Sequence, residues 1–174
     1  LDYENLLGIF IGTYSILGYI YFIIKSAPFQ PKQNSKVQMY LGVGVLSICF
    51  LGIIGLFYYG NVENQLTIEE NQIVISGMYG EKIPLERIQS IQLTEGLPTL
   101  NKRINGFSSS GLKKGKFKTA DKEIIKLLIN QNVTQYILID KIKGKDVYYN
   151  SSNEDVVSVY KELRSKLDPT LFGD

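Results

Sequence analysis

The distribution of charge constrains this chain more than any other feature. Of 36 charged residues among 174, only Asp2, Glu4, Lys25, Lys32 and Lys36 fall in the first 60 positions. Residues 5–24 carry no charge, and at 1.5 Å of rise per helical residue such a stretch covers a hydrocarbon core of roughly 30 Å. A second charge-free stretch runs over 37–62, densest at 40–59. The pattern predicts a transmembrane helical hairpin in residues 1–62, with spans at about 5–24 and 40–59 and a loop at 25–39. A polar domain follows at 63–174. The chain average, a mean hydropathy of -0.01, conceals these two unlike halves.

Details of the apolar half fit the hairpin. Tyr19, Tyr21 and Phe22, then Tyr40, Phe57, Tyr58 and Tyr59, fall near span ends, where amphipathic rings favour the headgroup zone. Gly8 and Gly12 form a small-xxx-small pair for helix packing, and Gly42, Gly44, Ser47, Gly52 and Gly55 thin the second span, so two backbones can approach closely. Packing within the hairpin is the plain use of these residues; homodimerisation through Gly8 and Gly12 is the sharper one. The first residues, acidic at Asp2 and Glu4, do not make the basic start of a cleaved leader, so the first span is expected to be retained. Three lysines and no acid in 25–36, against acids on the other flanks, place that loop inside by the positive-inside rule. The protein is thus expected to be integral to the plasma membrane, with its C-terminal domain extracytoplasmic.

From about position 65 the pattern changes to the alternation of strands. Residues 66–70 and 72–76 read as strands joined tightly at 70–71, and 77–84 as a turn and a strand stopped by Pro84, which lacks the ladder donor. Strand-like runs follow at 88–93, 115–119, 123–129, 134–140 and 146–150, with Gly144 in the turn of a final hairpin. The stretch 105–111, Asn-Gly-Phe-Ser-Ser-Ser-Gly, reads as a flexible loop. One helix closes the chain. Ser152 with Asp155 resembles a capping box, Val156, Tyr160, Leu163 and Leu167 form one apolar stripe, and Pro169 ends it. About seven antiparallel strands and one amphipathic helix predict a partly open barrel or orthogonal sandwich plugged by the helix.

Several chemistries lack their residues. There is no histidine and only one cysteine, Cys49, so no imidazole base, zinc set or intrachain disulfide is available. Ser108, Ser109 and Ser110 have no histidine to activate them, and the carboxylates Glu69, Glu70, Glu81, Glu86 and Glu95 are scattered. Gly106 and Gly111 have phosphate-loop spacing, but Leu112 stands where the lysine belongs. We therefore expect no catalytic residues, no metal and no cofactor. The sharpest positive feature is a net +6 over residues 101–126, and Lys102, Arg103, Lys113, Lys114, Lys116 and Lys118 are its candidate anionic-surface residues. Lysines that merely keep a hairpin soluble are the plainer reading.

The segments 77–84 (Gly-Met-Tyr-Gly-Glu-Lys-Ile-Pro), 88–91, 103–107, 111–118 and 136–150, in this order and before a closing helix, resemble the bacterial pleckstrin-homology-like (PH-like) domain of small membrane-anchored proteins. The resemblance covers about 65–167. It implies a seven-strand barrel with a C-terminal helix, a non-enzymatic binding or oligomerisation module, and no cofactor. The resulting expectation is a membrane-anchored binding or assembly module at the bacterial envelope. Its partners would be membrane lipid, a membrane protein or a second copy, and not nucleic acid. The alternative is an immunity factor that intercepts bacteriocin-like membrane-active peptides at the cell surface.

Overall fold

A computed structural model describes residues 35–173 together with Gly18, Tyr21 and Lys25. The expected first span, and Gly8 and Gly12 within it, lie outside the described residues. The chain divides into two compact units, Leu1–Tyr58 and Tyr59–Asp174, and each is described separately.

In the first unit lies most of helix α1, Ser35–Asn61, of 27 residues. Its segment Tyr40–Asn61 has a mean hydropathy of 2.3 over its most apolar window, none of which is buried, and is long and apolar enough to cross a membrane. One polar side chain within it is satisfied internally: the Ser47 hydroxyl donates to the Val43 carbonyl one turn back, at 2.8 Å.

The second unit holds nine strands and a helix. β1 (Leu66–Glu69), β2 (Gln72–Ile75) and β3 (Glu81–Pro84) form an antiparallel sheet in the order β1-β2-β3. β4 (Ile88–Thr94), β5 (Leu100–Ser109), β6 (Leu112–Thr119), β7 (Ile124–Asn130), β8 (Tyr136–Lys141) and β9 (Val147–Tyr149) form a second sheet in the order β4-β8-β9-β7-β6-β5. With helix α2 (Val156–Lys166) they make a PH-like β-sandwich. The count of nine exceeds the expected seven or so; β5 is the strand with no counterpart among the eight strand-like runs, because the stretch read as a flexible loop at 105–111 is mostly strand. Gly106 lies directly opposite Gly115, and the β5–β6 hairpin turns at Ser110 and Gly111, which take the positive φ values of 48° and 84° that a tight hairpin needs.

The expectation of wholly antiparallel strands also needs correction. β7 and β8 are consecutive but not adjacent, and β9 turns back from β8 into the slot between them. There it pairs antiparallel with β8 and parallel with β7. The turn back uses Gly144 at φ 123°.

Apolar residues alternate along β7 and bury both faces of the large sheet. Leu128, with Val147, Tyr149, Ile137 and Ile139, belongs to the larger core, which Ile73, Ile75 and Ile83 of the small sheet and Val156 and Leu163 of α2 complete. Ile125, Leu127 and Ile129 point the other way, into a smaller cluster with Phe117 and Tyr136, flanked by Leu97 and Leu100. α2 starts one residue after Asp155, whose carboxylate accepts from the Ser158 N–H at 3.1 Å, so the cap is Asp155 and not Ser152. Past Pro169 the chain folds back, and Phe172 meets the Tyr160 ring edge-on at 5.6 Å and bridges to Ile91.

Gly115 has φ 116°, and a Cβ there would sit 2.6 Å from the Gly106 Cα and overlap the Asn105 carbonyl. Gly115→Ala combines left-handed strain with overlap against backbone that cannot swing aside, and is expected to cost about 2 kcal/mol or more. Thermal unfolding read by circular dichroism checks this. A melting temperature unchanged in the variant would contradict the close strand approach.

Candidate basic sheet face

Directly opposed residues on neighbouring strands project from the same face of a sheet. Lys102 opposes Lys118, Asn105 opposes Lys116, and Lys116 in turn opposes Lys126. One row further, Phe107, Lys114 and Leu128 are aligned. Four lysines, 102, 116, 118 and 126, therefore share one face across β5, β6 and β7. It is the face that carries the larger core, extended beyond the cover of the small sheet.

Two like-charged pairs stand directly opposed here, an arrangement that destabilises a sheet. Glu81 on β3 relieves one side. Its carboxylate holds Lys126 at 2.8 Å and Lys141 at 2.7 Å. Burial pushes the Glu81 carboxyl up, but the two ammonium groups outweigh it and hold the carboxyl below its usual range. Lys102 and Lys116 are exposed and Lys118 half-buried, and none of the three enters an ion pair among the described residues. Beside them stands the turn before β3. Tyr79, at φ 61°, donates its hydroxyl to Asn105 Oδ1 at 3.0 Å, in the same row as Lys116.

The other sequence-derived site residues are placed differently. Arg103 opposes Phe117 and Lys113 opposes Ile129, which puts both on the face of the smaller cluster. Lys114 is not a surface residue. It is 1% exposed, and its ammonium donates to the Val62 carbonyl. Burial pushes its pKa down, and the nearby Glu63 charge opposes that shift. Six lysines and arginines adjacent in sequence thus divide into a three-lysine face, a pair on the opposite face and one buried group. No cluster of three or more groups able to hold a metal occurs among the described residues.

A second polar assembly was not anticipated. The segment 62–64 is bound to the domain residue by residue. Val62 accepts from Lys114; Glu63 accepts from Ser151 Oγ, Ser152 N–H and Ser152 Oγ, each at 2.6 Å, and from Asn130 Nδ2 at 2.7 Å. Asn64 donates to the Ser76 and Met78 carbonyls, and its own carbonyl accepts from the Tyr149 hydroxyl at 3.2 Å. In the sequence, Glu63 reads only as an acidic flank of the span. The available signal was the shortness of the connection, whose polar residues have no slack in which to remain solvated.

A family model for a bacterial PH domain matches residues 64–167, more than half of the chain. The chain belongs to the bacterial PH domain family. No curated protein and no solved structure matches it. Membership of the PH domain family points to a binding or assembly module. The match begins at Asn64, so Val62 and Glu63 lie outside the matched PH domain, as does Phe172.

Burial pushes the Glu63 carboxyl up, and the hydrogen bonds from Ser151, Ser152 and Asn130 overcome it, leaving a net lowered pKa. A carboxylate depressed in the folded state stabilises above its unfolded value of about 4.5, and that stability is lost as pH falls through the folded value. Glu63→Gln is expected to cost about 2 kcal/mol at pH 7. Thermal melts of wild type and variant should converge as pH falls below about 4.5. A gap that stays constant down to pH 3 would show that the ionised carboxylate is not the stabilising species.

Proposed function

We propose that this protein is a membrane-anchored binding module whose PH domain contacts anionic lipid headgroups through Lys102, Lys116 and Lys118. The carrying observation is that these three lysines share one sheet face, Lys102 directly opposite Lys118 and Lys116 directly opposite Lys126, and that among the described residues only Lys126 of the four has a carboxylate paired to it. Protection of a sheet edge explains Lys102 on the edge strand β5. It does not explain Lys116 and Lys118, because β6 is paired on both sides and has no edge to guard.

Helix α1 supports anchoring by its length and hydropathy. Only residues 62–65 separate it from β1, a tether of about 14 Å at full extension, so an inserted helix would keep the domain near the headgroups. Each basic residue at an anionic surface gains about 1 kcal/mol, which makes three lysines a weak contact alone and an effective one when tethered. The lysines of the 25–36 segment favour a cytoplasmic loop and an extracytoplasmic PH domain.

Two measurements test the reading. In native mass spectrometry of the detergent-solubilised chain, phosphatidylglycerol should be retained over phosphatidylcholine. The variant carrying Lys102→Glu, Lys116→Glu and Lys118→Glu should lose that preference by about one to two orders of magnitude. Equal retention by the variant sinks lipid binding at this face. For orientation, Lys145→Cys in a Cys49→Ala background should react with a membrane-impermeant thiol reagent on intact cells. Labelling seen only after lysis would put the domain inside.

A further inference from the structure

β1 is an edge strand: among the described residues it pairs with β2 and with no other strand. The Ser76 N–H donates to the Gln65 carbonyl at 2.8 Å, and Thr67 and Glu69 follow Gln65 at the spacing of the ladder. Main-chain groups of alternate residues point to alternate sides of a strand, so those of Leu66 and Ile68 point away from β2. The Leu66 N–H meets the Tyr149 hydroxyl at 3.1 Å, which confirms that direction. The carbonyl of Leu66 and both main-chain groups of Ile68 are directed along the same side, and among the described residues no strand pairs with them.

What lies beside that edge is a cavity of about 300 Å³ between β1 and α2. Leu66 and Ile68 contribute to one side of it and Val159 and Leu163 to the other. Its charged lining is acidic. Glu154 and Glu162 face it, with Lys166 as the single base, already paired to Glu162 at 2.6 Å. Glu69 and Glu70 follow at the end of β1, both exposed. A row of unpaired main-chain groups, an apolar slot for side chains and an acidic rim are the three elements of strand addition with a charge preference.

We propose that this groove binds an extended peptide segment of a partner protein, which adds to β1 as a fourth strand of the small sheet. The segment alternates apolar residues, which enter the slot between Ile68 and Val159, with basic residues that meet Glu154 and Glu162. The site lies on the small sheet and α2, and uses none of the three lysines assigned to lipid. A module anchored through one surface and recognising a basic strand through another can join a membrane to a partner.

The probe is a six-residue peptide of alternating valine and lysine, measured by fluorescence anisotropy against the full chain in nanodiscs of zwitterionic lipid. It should bind at least about tenfold more tightly than its valine–glutamate counterpart. A version methylated on every backbone nitrogen should lose binding, since strand addition needs its N–H groups. Val159→Trp, which fills the slot, should weaken the lysine peptide by about tenfold or more. Glu162→Lys, at an exposed position that does not endanger folding, should remove the preference for lysine over glutamate. The three-lysine variant of the lipid face should bind the peptide as wild type does, so the two sites can fail separately. Equal binding of the methylated peptide, or no charge preference in wild type, overturns the proposal. So does concentration-dependent self-association that Val159→Trp abolishes while the peptide fails to bind, because it gives the edge to a second copy of this chain.

Discussion

Leu127 and Leu128 are neighbours in β7, and both are almost completely buried. In a strand, neighbours project to opposite faces, so the large sheet must be covered on both sides, and most of the domain follows from how that is done. One side receives the small sheet and α2, which bring Ile73, Ile75, Ile83 and Leu163 onto Leu128 and Tyr149. The other is served by Phe117 and Tyr136 with Leu97 and Leu100 beside them. Fully burying an aliphatic side chain contributes about 1.5–3 kcal/mol, so exposing either face of β7 would forfeit several such contributions together.

The cover on the first side is shorter than the sheet it covers. β1–β3 supply apolar residues over the rows of Leu128 and Tyr149, and Glu81 at the start of β3 marks the margin, taking Lys126 and Lys141. Beyond it, β5 and β6 continue as strand, and Lys102, Lys116 and Lys118 take the positions of that face. Alternation therefore persists while polarity inverts. That inversion is why the sequence shows a basic run over 101–126 without showing which of its residues share a face.

Strand positions before Pro84, the hairpin at Gly144 and the apolar stripe of α2 were legible because each rests on a local rule: a missing donor, a positive φ, a helical period. The strand through 105–111 was hidden for the same reason. Gly106, Ser108 and Ser109 have loop propensities, and their strand conformation is imposed by Gly115 and the rest of β6 across the ladder. Likewise Ser152 and Asp155 have capping-box spacing, but Ser152 is held by Glu63, 89 residues away, a partner that no local pattern could name. The parallel placement of β9 was equally non-local, because it depends on which strands leave a slot and not on the residues of β9 itself.

Lys114, Lys116 and Lys118 show how completely environment decides what an identical side chain can do. All three project from one face of one strand, two residues apart. Lys114 lies nearest the aligned Leu128 and Tyr149, is buried, and donates to the Val62 carbonyl with Glu63 nearby, which ties the first residues of the domain to its sheet. Lys116, one row out, is exposed and opposed by Lys126, whose charge Glu81 has already taken. Lys118, in the last row, opposes Lys102, and among the described residues no carboxylate is paired to either. Of the three, only Lys114 is buried, while Lys116 and Lys118 enter no ion pair among the described residues. On the proposed reading, an external anion would meet Lys102 and Lys118 at the end of the strand pair without displacing a paired carboxylate.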